Sequence, residues 1–114
     1  MTYVPESFKE EIVQRVFRNF RDVMVLRLVR GEPMWGYRII KHAEEEYGVT
    51  LRHGALYPLL NSLEKRGFLR SRRDAEGGRV RKVYEITSKG IQFIDAYNEA
   101  LHSQMEKQNT KAVA

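Results

Sequence analysis

Two runs of β-forming residues flank a short polar segment in the second half of the chain. Residues 68–73 and 79–86 are rich in Phe, Leu, Val, Tyr and Ile, and the segment between them reads Asp-Ala-Glu-Gly-Gly. Two such runs around a polar turn that ends in glycines predict a β-hairpin. The rest of the chain carries apolar residues at helical spacing instead.

Three helical segments precede the hairpin and one follows it. Residues 5–30 carry a broad apolar face, and Asn19 could restart the helix, so this stretch is either one bent helix or two. Residues 36–47 and 52–66 show the same spacing, and each is followed by a glycine that can end a helix. After the hairpin, the hydroxyl of Thr87 can cap a last helix.

Three helices followed by a two-stranded hairpin form the layout of a winged helix-turn-helix. The predicted fold class is therefore mainly α (α+β), with an N-terminal helical extension and a C-terminal dimerisation helix. The expected boundaries are 1–20 for the extension, 21–87 for the winged helix-turn-helix domain, 88–108 for the dimerisation helix and 109–114 for a frayed tail. A length of 114 residues suits one such domain.

The positive charge is concentrated in one third of the sequence. The formal net charge is +5, and residues 52–90 hold 10 Lys/Arg against 4 Asp/Glu, whereas residues 1–51 are neutral. A localised positive field is typical of nucleic-acid-binding proteins. The alternative interpretation of the charge alone is a solvated basic face.

Composition excludes several other classes of site and location. There is no cysteine, so disulfides and thiolate metal sites are excluded, and no stretch of about 20 apolar residues could span a membrane. The first residues lack the pattern of a secretion signal, which leads us to expect a soluble, cytoplasmic protein. No metal site, cofactor or active site is predicted, because the three histidines lie in different helices and the acidic run 44–46 splays around its helix. We therefore expect that the protein is not an enzyme.

The helix at residues 52–66 is the predicted recognition helix. The major groove of B-DNA admits one α-helix, and helix-turn-helix proteins insert the second helix of the motif with its N-terminal residues leading. The candidate DNA contacts on or near this helix are Tyr37, Arg52, His53, Gly54, Tyr57 and Asn61. The alternative for Tyr57 is packing in the core.

The hairpin supplies a second set of candidate DNA contacts. Arg79, Arg81 and Lys82 flank its tip, where they could follow the phosphate backbone or the minor groove. Such contacts should make binding strongly dependent on salt concentration. Alternatively, these cations only keep the hairpin edge soluble.

Several motifs resemble the PadR family of transcriptional regulators. They are Pro-Met-Trp-Gly-Tyr-Arg-Ile-Ile at 33–40, Gly-Ala-Leu-Tyr-Pro-Leu-Leu at 54–60, Leu-Glu-Lys-Arg-Gly-Phe-Leu at 63–69 and Gly-Gly-Arg-Val-Arg-Lys-Val-Tyr at 77–84. The resemblance implies a winged-helix dimer that represses at palindromic operators and binds DNA through the helix holding Tyr57 and through the wing. It also implies a small aromatic or drug-like effector at the dimer interface. Trp35 stands where the family more often has His, and it should pack the inter-helix turn or line a ligand pocket.

Apolar stripes at both ends of the chain predict a dimer. They extend beyond what a small domain can cover, which is typical of an association surface. Two-fold pairing would place two recognition helices about 34 Å apart, one turn of DNA. The alternative is that both helices fold back onto their own core. The candidate dimerisation residues are Phe8, Ile12, Val16, Ile91, Ile94, Tyr97, Leu101 and Met105.

Three functions are compatible with these features. The first is a sequence-specific transcriptional regulator that binds double-stranded DNA as a homodimer. The second is a non-specific architectural DNA-binding protein. The third is a winged-helix module for protein interaction, which the concentration of charge in the hairpin and its neighbouring helix disfavours.

Overall fold

A computed structural model describes residues 2–16 and 20–113, in which the side chains of Gln14, Val16, Glu76 and residues 111–113 are not described. The predicted capping residue Asn19 lies outside the described residues. The elements are α1 (Glu6–Val16), α2 (Phe20–Gly31), β1 (Met34–Trp35), α3 (Gly36–Tyr47), α4 (His53–Lys65), β2 (Leu69–Glu76), β3 (Arg79–Ile86) and α5 (Ser88–Val113). The predicted winged helix-turn-helix of mainly helical class is confirmed, with α4 as its second helix and β2–β3 as its wing.

Helix α2 lies at the centre of the core. Residues 23–26 are all fully buried, so the helix is covered around its whole circumference rather than along one stripe. Helix α4 packs onto the core through Leu56, Leu60 and Leu63, which recur at helical spacing and are at most 1 % exposed. Tyr84 from the sheet completes this side of the core.

The wing belongs to a three-stranded antiparallel sheet in the order β1-β3-β2. Strands β2 and β3 pair from Leu69↔Ile86 to Glu76↔Arg79, and the turn is formed by two glycines with φ of 61° and 79°. Glycine suits two consecutive positions with positive φ because it has no Cβ to clash with the backbone. The short strand β1, which was not predicted, pairs Trp35 with Val83.

Helix α5 is joined tightly to the end of α4. The Thr87 hydroxyl accepts a hydrogen bond from the Gly90 N–H at 3.1 Å, as the predicted cap requires, and donates to the Gly67 carbonyl oxygen at 2.6 Å. A Cβ on Gly90 would lie 2.4 Å from the carbonyl oxygen of Phe68. The first turn of α5 therefore touches the backbone just after α4.

One expectation about α5 is corrected. Ile94, a predicted dimerisation residue, is 2 % exposed and belongs to the core of its own domain. The backbone is helical as far as Val113, so α5 is longer than the predicted 88–108 and includes residues 109–113 of the segment expected to fray. The 26-residue helix gives the molecule an elongated shape of 61 × 29 × 21 Å. No helix in the described part of the chain is both long and apolar enough to cross a membrane.

Candidate nucleic-acid interface

The N-terminal end of α4 is exposed to solvent. Residues 52–55 are all exposed, and Tyr57 is 45 % exposed, so Tyr57 is not part of the core. Asn61, one turn further along the helix, is exposed as well. The three buried leucines of α4 hold the opposite face against the domain. The structure thus places every sequence-predicted contact of this helix on its solvent-facing side.

The first backbone amides of α4 point out of an uncapped helix end. Arg52 occupies the N-cap position with φ −95° and ψ 151°, but its side chain makes no capping hydrogen bond. Its carbonyl oxygen accepts hydrogen bonds from the amides of Ala55 and Leu56. The amides of His53 and Gly54 are therefore not capped by this side chain. Together with the positive end of the helix dipole, they can receive a phosphate oxygen.

The start of α3 lies directly against the start of α4. A Cβ on Gly36 would lie 2.8 Å from the hydroxyl oxygen of Tyr57, so only a glycine lets the tyrosine ring sit there unmoved. On its other side the Tyr57 ring stacks with His53, with centroids 6.0 Å apart and planes inclined by 19°. Tyr57 therefore packs against the start of α3 and stacks with His53 of its own helix, while nearly half of it faces solvent.

An aromatic pair at the start of α3 connects this end of the domain to the wing. Trp35 and Tyr37 stack with centroids 5.3 Å apart, and Tyr37, a predicted DNA contact, is 55 % exposed. The guanidinium carbon of Arg81 lies 3.8 Å from the centroid of the Trp35 ring. Wing and helix-turn-helix therefore form one continuous surface. Trp35 was predicted to pack the inter-helix turn or to line a ligand pocket, and neither alternative included the contact with Arg81.

Lys82 does not share a face with Arg81. Its ammonium nitrogen lies 3.4 Å from a carboxylate oxygen of Glu64 and 5.6 Å from the centroid of the Tyr84 ring. Neighbouring residues of a strand point to opposite sides of the sheet, and these contacts put Lys82 on the side facing α4. The sequence grouped Arg79, Arg81 and Lys82 as one contact set, whereas the structure separates Lys82 from the other two.

Glu64 of α4 contacts the side of the wing that faces α4 through its carboxylate oxygens. It also accepts a hydrogen bond from the Ser71 hydroxyl at 2.5 Å. The bond from Ser71 lowers the pKa of Glu64 below its ordinary value, and the nearby charge of Lys82 acts in the same direction. The ionised carboxylate therefore ties α4 to both wing strands.

The arginines of the wing divide into paired and unpaired groups. Arg70 donates to Glu85 at 2.6 Å, and Arg72 lies 3.9 Å from Asp74. Arg73, Arg79 and Arg81 form no ion pair with any carboxylate among the described side chains. Arg73 lies opposite Lys82 in the sheet and therefore on the side facing α4, whereas Arg79 and Arg81 lie on the other face. These two are therefore the wing cations best placed to meet an external anion.

The structure offers no metal centre among the residues it describes, since no three His, Cys, Asp or Glu side chains gather there. His42, His53 and His102 lie on α3, α4 and α5. His42 lies 3.8 Å from Glu46, and His102 lies 3.0 Å from Glu106, each within one helix. These are ordinary pairs between residues four positions apart.

Four of the eight predicted dimerisation residues are exposed. Phe8, Ile12, Leu101 and Met105 are between 40 % and 60 % exposed, an unusual state for large apolar side chains at both ends of a small domain. Ile91 and Tyr97 are half-buried, and the side chain of Val16 lies outside the described part of the chain.

Comparison with known proteins identifies relatives over most of the chain. The model of a family described as transcriptional regulator PadR-like matches residues 25–96. A PadR family transcriptional regulator from Eggerthella lenta is 27 % identical with a TM-score of 0.77, covering 92 % of each chain. A transcriptional regulator from Clostridium thermocellum is 26 % identical with a TM-score of 0.73, covering 83 % of this chain and 95 % of its own. A PadR-like regulator from Bacillus cereus, 21 % identical with a TM-score of 0.69 and covering 88 % and 94 %, shares the fold. No curated protein matches the sequence.

Proposed function

We propose that this chain, which belongs to the PadR-like family of transcriptional regulators, acts in the cytoplasm as a homodimeric, sequence-specific DNA-binding repressor at a palindromic operator. The observation that carries the proposal is the surface shared by the exposed N-terminus of α4 and Arg81, which meet through Trp35 and the start of α3. The N-terminus of α4 and Arg81 both lie within residues 52–90, the part of the chain that holds the excess positive charge.

Helix α4 has the form that groove binding requires. The major groove is about 12 Å wide and accommodates one helix, whose leading residues contact base edges. His53, Tyr57 and Asn61 are exposed there and carry hydrogen-bonding groups, and small Gly54 allows the backbone to approach closely. We assign base-edge contacts to these side chains and phosphate contacts to the first helix amides, Arg52 and Arg81.

The homodimer is supported by the two exposed apolar ends of the molecule. Helix α5 carries Leu101 and Met105 on the part that projects from the domain, and α1 carries Phe8 and Ile12. Pairing through these surfaces would remove apolar area from water and place two α4 helices on successive major grooves about 34 Å apart. A small aromatic or drug-like effector, expected from the family, would lie against this interface.

The proposal is tested by measuring affinity for labelled duplexes at several salt concentrations. The duplexes are the DNA upstream of the protein's own reading frame and a shuffled sequence of equal length. We expect the upstream duplex to bind at least about 10³-fold more tightly. Equal affinities would instead indicate an architectural binder, and absence of binding to both would support a protein-interaction module.

Two arginine variants of the wing provide a matched pair for the same assay. Arg81→Ala should weaken binding to both duplexes. It should also lower the salt slope, the steepness with which the logarithm of the binding constant falls with the logarithm of the salt concentration, by about one, since one phosphate contact is lost. Arg70→Ala removes the same charge from the same sheet, but Arg70 already donates to Glu85. Its effect should be much smaller. Equal effects would show that only the total charge of the wing matters.

A further inference from the structure

We infer that Trp35 is a positioning residue for DNA binding: its indole ring holds the Arg81 guanidinium beside the N-terminus of α4, so that wing and recognition helix engage the DNA backbone as one unit. This inference rests on the proposed function and adds a role for a residue that touches neither groove nor phosphate in our assignment.

The backbone around Trp35 fixes where its ring can lie. In strand β1, Trp35 pairs with Val83, which is two residues from Arg81 on the same strand. Residues two apart on a strand share a face, and so do directly paired residues. The indole is therefore directed to the same face as Arg81, and the distance of 3.8 Å between the guanidinium carbon and the ring centroid is the result. Tyr37 stacks on the same indole and restricts its movement.

The contact orders Arg81 without using up its hydrogen-bond donors. A guanidinium over an aromatic ring is attracted through the charge and the face of the ring, whereas its N–H donors lie in the guanidinium plane. An ion pair would occupy those donors, as in the bond from Arg70 to Glu85. Asp74 is the residue directly opposite Arg81 in the sheet, but it lies 3.9 Å from Arg72 and forms no ion pair with Arg81. Arg81 is thus held in place while its donors remain available to a phosphate.

The same tryptophan borders the recognition helix. Trp35 is the N-cap residue of α3, immediately before Gly36, against which the Tyr57 hydroxyl packs. The residue whose indole holds the wing therefore directly precedes the residue whose backbone seats Tyr57 of α4. Loss of the indole would free the Arg81 side chain to sample many rotamers. DNA binding would then be weaker, because fixing Arg81 on a phosphate would cost conformational entropy.

The inference is tested by a double-mutant cycle on affinity for a fluorescein-labelled duplex from the upstream DNA. Trp35→Leu should weaken binding about three- to tenfold, the size of a typical cation–π contact converted to an equilibrium constant. In an Arg81→Ala background the same substitution should change affinity less than twofold, because there is no longer a guanidinium to position. The salt slope should fall by about one in each single variant and no further in the double variant.

A second measurement does not depend on DNA or on the folding of Trp35→Leu. Trp35 is the only tryptophan in the chain, so the intrinsic emission of the free protein reports on its surroundings. Arg81→Met should change the intensity or wavelength of that emission, and Arg70→Met, the matched control, should leave it unaltered. Trp35→Phe keeps an aromatic ring and should retain part of the affinity that Trp35→Leu loses.

The outcomes separate this inference from the proposed function. Wild-type protein that binds neither duplex would remove the proposed function and the inference together. Wild-type binding with undiminished affinity in Trp35→Leu, or with equal losses in the presence and absence of Arg81, would refute only the positioning role. Emission unchanged by Arg81→Met would refute it as well, whatever the behaviour of the leucine variant.

Discussion

Replacing Gly90 with alanine tests whether α5 is held against the end of α4 by direct backbone contact. A Cβ at this position would lie 2.4 Å from the Phe68 carbonyl oxygen and 2.7 Å from a side-chain carbon of Ile86. Since real Cβ contacts stay beyond 3.0 Å, the distance to the oxygen must grow from 2.4 to 3.0 Å, that is by about 0.6 Å. Backbone must move, because the nearest atom is the carbonyl oxygen of Phe68. The hydrogen bonds of the Thr87 hydroxyl to Gly67 and from Gly90 resist that movement.

The expected cost follows from two opposing effects. Forcing an extra carbon into a tight contact costs about 1–3 kcal/mol, whereas replacing a helical glycine with alanine recovers up to about 1 kcal/mol. Gly90→Ala should therefore destabilise the fold by about 1–2 kcal/mol and lower Tm by about 4–8 °C. The measurement is thermal unfolding by circular dichroism at one fixed protein concentration, because association shifts Tm.

Gly54→Ala is the matched control for this experiment. Gly54 is also in the first turn of a helix, but a Cβ there would meet no atom within 4 Å. Its Tm should stay level or rise slightly. A Gly90→Ala protein that melts at or above the wild-type temperature, or equal losses in both variants, would refute the argument that the joint is closely packed.

Three further predictions concern the site, the wing and the dimer. Gly36→Ala should push the Tyr57 ring aside and weaken DNA binding several-fold. Tm should change little, because the hydroxyl end of a flexible side chain can move. Unchanged affinity at equal salt concentration would contradict the role of Tyr57. The pKa of Glu64 is lowered in the fold, so its ionised form stabilises the protein above the unfolded pKa, near 4.5, and this stability is lost as the pH falls through the lower folded value. In an acid titration followed by circular dichroism, Glu64→Gln should reduce the loss of stability over this pH range. A stability profile identical to that of the wild type would contradict the argument. Leu101→Glu should weaken the proposed dimer at least tenfold in sedimentation experiments, unlike Ser103→Glu on the same exposed helix. Equal behaviour of the two variants would disprove a role for Leu101.

The wing could be predicted because local chemistry determines it. A pair of glycines supplies the two positive φ angles of the turn, and the flanking runs are then brought into register. Strand β1 could not be predicted in this way, since two residues carry no periodicity and Met34 and Trp35 form a strand only by pairing with β3. The helical continuation of α5 beyond residue 108 could not be predicted, for a different reason. Residues 109–113 lack an apolar stripe, but a helix continues through its own i to i−4 hydrogen bonds without burial, and the Thr110 hydroxyl donates to the Glu106 carbonyl oxygen at 3.0 Å.

The candidate site shows the same division between local and long-range information. The spacing of the leucines in α4 predicted which face is exposed. Strand alternation could also have separated Lys82 from Arg81, a signal that the grouping by charge overlooked. The contact between Trp35 and Arg81 joins residues far apart in sequence and depends on the register of β1 against β3. Ile94 follows the apolar spacing of α5 like the exposed residues further along the helix. Spacing alone therefore could not show that Ile94 belongs to the core of its own domain.

Helix α4 is secured at both of its ends, and this has a consequence for regulation. At its N-terminus, Tyr57 packs on Gly36 next to the tryptophan that holds the wing. Just beyond its C-terminus, Thr87 and Gly90 join α5 to the backbone at residues 67–68. A rotation of α5 at the proposed dimer interface would thus be transmitted to α4 rather than absorbed by a flexible linker. In the proposed homodimer two α4 helices would have to match grooves about 34 Å apart, so a change in the angle between paired α5 helices would weaken DNA binding. The described fold therefore favours regulation through the geometry of the dimer over regulation by covering α4 itself, whose leading residues are already exposed.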